Sequence, residues 1–135
     1  MKETLPLKNW TVSQLLRRAA QRFPTRPALE YLGRVWTYSE LDEMVDCTAR
    51  RLLSWGVKRG DRMGLWCETE PNTIFLLYAL PRIGAAAACL NTSLQRAELA
   101  ELLCRTEVSR LIVTDGYRGM SFPDLCRGLV EEVPA

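Results

Sequence analysis

Three short apolar runs, 62–67, 86–90 and 110–114, alternate with segments of helical periodicity, and this alternation constrains the fold more than any other feature. Strands buried on both faces read as continuous apolar runs, and parallel neighbours need a crossover long enough to hold a helix. "RMGLWC", "AAAACL" and "RLIVTD" fit the first requirement; "PNTIFLLYALPRIG" and "LQRAELAELLCRTE" fit the second. The predicted class is α/β, a parallel βαβ sheet with right-handed crossovers, covered by helices. In such sheets ligands bind beyond the carboxyl ends of the strands at a switch point. That directs attention to the segments after Cys67, Leu90 and Asp115.

The chain before the sheet supplies an N-terminal helix and a short hairpin. Thr11 with Gln14 forms a capping box, Trp10 and Leu15 suit a hydrophobic staple, and Leu15, Leu16, Ala19 and Phe23 give an apolar face that ends at Pro24. "PALEYL" and "RVWTY" around Gly33 predict a hairpin over 27–38. Ser39 then caps a helix with Asp42 at its third position, and Leu41, Met44, Val45, Thr48 and Leu52 trace its buried side. Gly56 is its left-handed stop and Val57 the apolar residue that follows. Arg59-Gly60-Asp61 reads as a turn rather than an adhesion tripeptide. Pro81 weakens the next helix, which Gly84 closes, and "FPDLCRGLVEEV" predicts a last short helix containing Gly128.

The 135 residues amount to one domain, 1–135, and the 47% apolar and 25% charged content is that of a folded chain. Eighteen Lys and Arg against sixteen Asp and Glu leave +2, which does not call for nucleic acid as a partner. Arg17, Arg18, Arg22 and Arg26 form the densest basic group, and the first three fall on the polar side of the N-terminal helix. Five separated cysteines, Cys47, Cys67, Cys89, Cys104 and Cys126, contain no CxxC pair and no complete disulfide set. They read as small buried hydrophobes in a reducing compartment. "MKETLPLKNW" lacks the apolar core of a signal peptide, and the run "IFLLYALPRIGAAAACL" falls short of the roughly 20 apolar residues that span a bilayer. The expectation is a cytoplasmic protein with no membrane span.

Neither GxGxxG nor GxxxxGK[ST] occurs, and Gly116 and Gly119 in "DGYRGM" have the wrong spacing for a phosphate cradle, so that segment reads as a flexible loop. The chain contains no histidine, which removes Ser-His-Asp and Cys-His nucleophile systems. Asp42, Glu43, Asp46, Glu98 and Glu101 lie on predicted amphipathic helices as solubilising surface. Glu68, Glu70 and Asp115 follow strand ends and are the better-placed carboxylates, with loop or cap roles as the alternative. Trp36, Trp55 and Trp66 are assigned to core packing. No catalytic, cofactor-binding or metal-ligating residue is assigned.

The order of Thr37-Tyr38-Ser39-Glu40-Leu41, Gly56-Val57, Gly60-Asp61-Arg62, Gly84-Ala85, Leu90-Asn91 and Glu98-Leu99 resembles the N-terminal part of the adenylate-forming enzymes. These are the acyl-CoA synthetases, luciferases and peptide-synthetase adenylation domains. The resemblance covers roughly residues 11 to 115, and Pro81 before Gly84-Ala85 with Leu90-Asn91 following is most similar to fatty-acid CoA ligases. Thr69, Cys89 and Thr92 depart from the family pattern, which commonly has Asn, Pro or Thr, and Pro there.

The resemblance implies an acid-thiol ligase: a carboxylate attacks ATP to give an acyl-adenylate, and CoA displaces AMP. It implies ATP, Mg²⁺ and CoA for the complete enzyme, none of them held tightly by these residues, because the family's phosphate loop and catalytic lysine lie later in the chain. The expected partners are the remainder of the enzyme and a carboxylic acid, and these residues alone are expected to be inactive. A surface exposed by missing neighbours would be apolar or buried in a homo-oligomer. Two other readings stand beside this one: a stand-alone interaction or regulatory module, and an adenylation subdomain that loads an amino or aryl acid onto a carrier protein.

Overall fold

A computed structural model describes residues 10–129. Helix α1, Val12–Arg22, opens on the Thr11 capping box: the Gln14 amide donates to Thr11 Oγ1 at 3.2 Å, and Thr11 N donates to Gln14 Oε1 at 2.9 Å. Its inward face is narrower than its periodicity suggests. Ser13 and Leu16 are buried, whereas Leu15 and Phe23 remain exposed, and the Arg18 guanidinium lies over the Trp10 ring. Strands β1, Pro27–Tyr31, and β2, Arg34–Thr37, form the expected antiparallel hairpin.

Helix α2, Tyr38–Ser54, starts two residues earlier than predicted. Thr37, not Ser39, is the cap, and Glu40 reaches back to the Thr37 amide at 2.7 Å. The hairpin explains the shift, since β2 delivers Thr37 in extended backbone where a cap must sit. Leu41, Val45, Ala49 and Leu52 are buried while Met44 stays exposed. At the far end Gly56 has φ +78, and the Gly56 and Val57 amides donate to the Leu53 and Leu52 carbonyls at 2.9 and 3.0 Å. This is the predicted left-handed stop, with Val57 buried beneath it.

Strand β3, Arg62–Trp66, helix α3, Pro71–Arg82, strand β4, Ala86–Cys89, helix α4, Arg96–Thr106, and strand β5, Arg110–Val113, form the βαβαβ unit. The strands run parallel in the order β4-β3-β5. Each is one residue shorter at its end than the apolar run predicted, and β5 is only partly buried because it is an edge. Pro81 falls in the last turn of α3 without ending it. "DGYRGM" is not a loose loop: β6, Gly116–Tyr117, pairs with β7, Met120–Ser121, and leads into α5, Phe122–Leu129. Gly116 is required there, since a Cβ would lie 2.0 Å from the Met120 carbonyl oxygen. The predicted continuation of α5 past Leu129 lies outside the described residues.

The central strand carries two cores, because successive side chains alternate across a sheet. Met63 and Leu65 face α1, α2 and α3 together with Phe75, Ala79 and Leu80. Trp66 faces the other way, onto Leu90, Leu99, Phe122 and Leu129. A parallel sheet whose order reverses must place successive crossover helices on opposite faces, and these clusters follow that rule. Trp36 and Trp66 are core residues as expected, but Trp55 is 63% exposed. The cysteines correct the prediction more broadly: Cys89 and Cys104 are exposed and Cys47, Cys67 and Cys126 are half-buried.

The first core is closed by an ionic cluster that periodicity placed on the surface. Arg82 donates to Ser13 Oγ at 2.9 Å, to the Asp42 carbonyl at 3.2 Å, to Asp46 Oδ1 at 2.7 Å and to the Asp42 carboxylate. Arg17 adds a second guanidinium on Asp46 at 3.0 Å. One largely covered arginine thus ties α1, α2 and α3, so Asp42 and Asp46 are interhelical links rather than solubilising surface.

Candidate functional site

The carboxyl ends of the parallel strands open onto a cleft of about 360 Å³ lined by Cys67, Glu68, Thr69, Thr92 and Tyr117. Its position follows from topology. Residues leaving β3 and β4 must part at this edge, because α3 and α4 cover opposite faces of the sheet, and a crevice is left between them. Residues from the segments after Cys67, Leu90 and Asp115 line this cleft.

Hydrogen bonds hold the walls in place. The Glu68 amide donates to Thr114 Oγ1 at 3.2 Å, and Thr73 Oγ1 donates to the Glu68 carbonyl at 2.6 Å, fixing the turn into α3. On the β4 side the Trp66 indole N–H donates to the Asn91 carbonyl at 3.0 Å, and Asn91 Oδ1 accepts from the Ser93 amide at 2.9 Å. Phe122 stacks on Trp66 with ring centroids 3.9 Å apart. The Phe122 amide donates to the Asp115 carbonyl at 3.2 Å, which fastens the β6–β7 hairpin over the edge and brings Tyr117 to the cleft.

Of the three carboxylates singled out by position, Glu68 lines the cleft. Glu70 is the residue before α3, and its carbonyl accepts from the Thr73 amide at 3.0 Å. Asp115 is exposed and serves the fold through its backbone. Gly116 and Gly119 belong to the hairpin rather than to a phosphate cradle. Thr69, Thr92 and Tyr117 were not assigned to a site. Thr69 and Thr92 did stand out in the sequence as departures from the family pattern, whereas Tyr117 arrives through a pairing that no periodicity signals.

Chemically, the cleft offers hydroxyls, one carboxylate and a thiol. Burial, reinforced by the nearby Glu70 carboxylate, pushes the Cys67 thiol up to about 11, so it is protonated at neutral pH. It donates to the Ile112 carbonyl at 3.4 Å, a packing role rather than a nucleophile's. Among the described residues no group of three or more Cys, Asp and Glu side chains is placed to hold a metal ion. The cleft can shape and hydrogen-bond a polar ligand, but it presents no paired nucleophile and base.

A parallel sheet whose order reverses, with a polar cleft at its carboxyl edge, defines an open α/β unit. The profile of the AMP-binding enzymes matches residues 16–133, and the chain belongs to that family. It is 33% identical over 125 residues to YngI of Bacillus subtilis, which is named as an acyl-CoA synthetase; the match covers 91% of this chain and 23% of YngI. It is 30% identical to the human mitochondrial medium-chain acyl-CoA ligase ACSF2, over 94% of this chain and 21% of that protein. The chain spans about a quarter of the length of these relatives.

Among solved structures, a Rhodopseudomonas palustris protein described as a long-chain-fatty-acid CoA ligase superposes with a TM-score of 0.81 at 27% identity. That match covers 95% of this chain and 31% of that one. The N-terminal subdomain of Klebsiella oxytoca NpsA, solved with anthranilyl-AMSN, superposes at 0.75 with 28% identity, over 86% of this chain and 31% of that one. The fold is that of the N-terminal subdomain of adenylate-forming enzymes. No helix among the described residues is long and apolar enough to cross a membrane.

Proposed function

We propose that residues 1–135 form the N-terminal subdomain of an ATP-dependent acyl-CoA ligase, and that the groups which bind ATP and perform catalysis lie on further chain. The observation that carries this reading is the family match over 16–133 together with the close superposition on a CoA ligase. The complete enzyme would use ATP, Mg²⁺ and CoA to convert a carboxylic acid into its thioester through an acyl-adenylate, as a cytoplasmic ligase.

The residues present do not fit MgATP. The cleft lining contains Glu68 and no cation, so it repels a triphosphate, and the one lysine among the described residues, Lys58, precedes β3 at the opposite edge of the sheet. We therefore assign these residues a scaffold role and route no chemical step through them. Thr69 and Thr92 line the cleft at positions that depart from the family pattern, which makes this wall a place where the ligase can differ from its relatives.

ATP–pyrophosphate exchange and acyl-CoA formation test the reading. The 135-residue chain is expected to catalyse neither, and a longer chain that includes a phosphate loop is expected to catalyse both. Robust thioester formation by the 135 residues alone would refute the scaffold assignment. The resemblance to NpsA favours a second reading, an adenylation enzyme that loads an aryl acid onto a carrier protein. Transfer to a carrier thiol in preference to CoA by the longer chain would select it.

A further inference from the structure

The edge of the sheet opposite the cleft carries a basic and apolar feature that the chemistry of the cleft does not use. The segment "RRLLSWGVKRG", residues 50–60, holds Arg50, Arg51, Lys58 and Arg59 and no carboxylate. The Gly56 turn fixes its shape, burying Leu52 and Val57 and leaving Leu53 53% and Trp55 63% exposed. Around the helix end the exposed arc runs from Leu53 past Arg50 and Arg51 to Trp55, and all four cations are exposed.

Elsewhere the arginines near this edge are engaged. Arg62 donates to the Thr106 carbonyl at 3.1 Å and pairs with Glu107 at 2.9 Å; Arg110 donates to the Trp55 carbonyl at 2.8 Å; Arg105 pairs with Glu101. The four cations of residues 50–60 form no ion pair among the described residues, although the chain is nearly neutral overall. Two large apolar side chains among unpaired cations make an amphipathic surface whose complement is anionic and apolar at once.

We propose that this helix end and turn is a docking surface for an anionic lipid membrane. A membrane surface fits because the four cations and the two large apolar side chains are all exposed on one helix end and the turn after it, so anionic headgroups and the interfacial layer can meet them together. Tryptophan also favours the headgroup level, where an amphipathic ring has both phases at hand. Lysine and arginine beside it gain from the negative surface potential of anionic lipids. The cleft would then face away from the bilayer, since it lies at the other end of the same strands. This docking is peripheral, with no spanning element.

Vesicle sedimentation of the 135-residue chain tests the proposal. Strong binding is expected to vesicles of phosphatidylcholine mixed with phosphatidylglycerol, little to phosphatidylcholine alone, and salt should weaken it. Lys58→Gln with Arg59→Gln is expected to lower binding by about one order of magnitude or more. Arg22→Gln with Arg127→Gln removes the same charge elsewhere and should change it by less than about twofold, since those charges lie off the contact. Brominated phosphatidylcholine in the anionic vesicles should quench tryptophan fluorescence, and Trp55→Phe should abolish the quenching. All these positions are exposed, and circular dichroism checks that each variant folds. Equal losses in the two double variants, equal binding to both vesicle types, or quenching that survives Trp55→Phe would each overturn the proposal. Binding to polyglutamate without binding to vesicles would overturn it in favour of an acidic protein.

Discussion

The two faces of the central sheet are built to different specifications. The face under α1, α2 and α3 packs thirteen buried residues into one cluster and closes it with the Arg82 ionic link. Among the described residues the opposite face, under α4 and α5, has five buried residues and one aromatic stack, Trp66 on Phe122. The same strand β3 serves both, so the difference lies in what covers each face. The well-covered face is a self-sufficient core, whereas the thin face positions the cleft wall through α5 and the β6–β7 hairpin. The Tyr117 wall of the cleft therefore rests on the thin face, whereas the wall at Cys67 and Glu68 is held from α3 on the thick one.

The sharpest test of that division is Phe122→Ala. Removing a fully buried aromatic from a five-residue cluster should cost about 3–5 kcal/mol locally, more than so small a cluster can absorb. Hydrogen exchange should show α5 and the β6–β7 hairpin opening while α2 and α3 stay protected. Loss of protection across both faces would show one cooperative unit and break the comparison.

Arg82→Met probes the thick face. It leaves the Asp42 and Asp46 carboxylates, with side-chain exposures of 18% and 39%, to the half-exposed Arg17 alone. Breaking a fully buried pair costs about 3–5 kcal/mol, and solvent at Asp46 reduces this to about 2–3 kcal/mol here. Denaturant unfolding should show the loss, and adding Asp42→Asn with Asp46→Asn should recover most of it. If the triple variant is no better than Arg82→Met, the arginine acts through packing of its stem and not as an ionic link.

These two residues also show where sequence reading reached its limit. The elements, their order, the Gly56 stop and the edge that carries the cleft were legible because each depends on local chemistry or on an alternation visible within a few residues. Asp42 and Asp46 were misplaced because helical periodicity describes one helix at a time. Whether a polar residue meets solvent or an arginine from position 82 depends on packing between helices. Tyr117 was missed for a similar reason, since a two-residue pairing around Arg118-Gly119 leaves no periodic trace. Exposure of Trp55 ran against its type, and a large apolar residue just after a helix carries no local mark of which way it points.

A smaller effect is expected at the cap that joins the hairpin to the thick face. Thr37→Ala removes the acceptor for the Glu40 amide at 3.3 Å and should cost about 1 kcal/mol in thermal or denaturant unfolding. The cost should appear in protection of α2 and leave α5 unchanged. An equal change in both helices would mean that the thin face leans on the thick one through β3.

The smallest effect is the pH dependence of the same cap. Glu40 accepts from the Thr37 amide at 2.7 Å and from Thr37 Oγ1 at 3.0 Å, and these bonds, with the nearby Arg34 charge, lower its pKa below the ordinary carboxylate value. A group whose folded pKa is depressed stabilises the fold above its unfolded value and loses that contribution as pH falls through the folded value. The cap should thus be at full strength above about pH 5 and fade in acid below the usual glutamate range near 4.3. Glu40→Gln keeps an acceptor without the charge, so the variant should melt below the parent at neutral pH and converge with it in acid. A gap that stays constant from neutral to acidic pH would assign the stabilisation to the shape of the side chain and not to its charge. The thick face would then owe its hairpin junction to hydrogen-bond geometry alone.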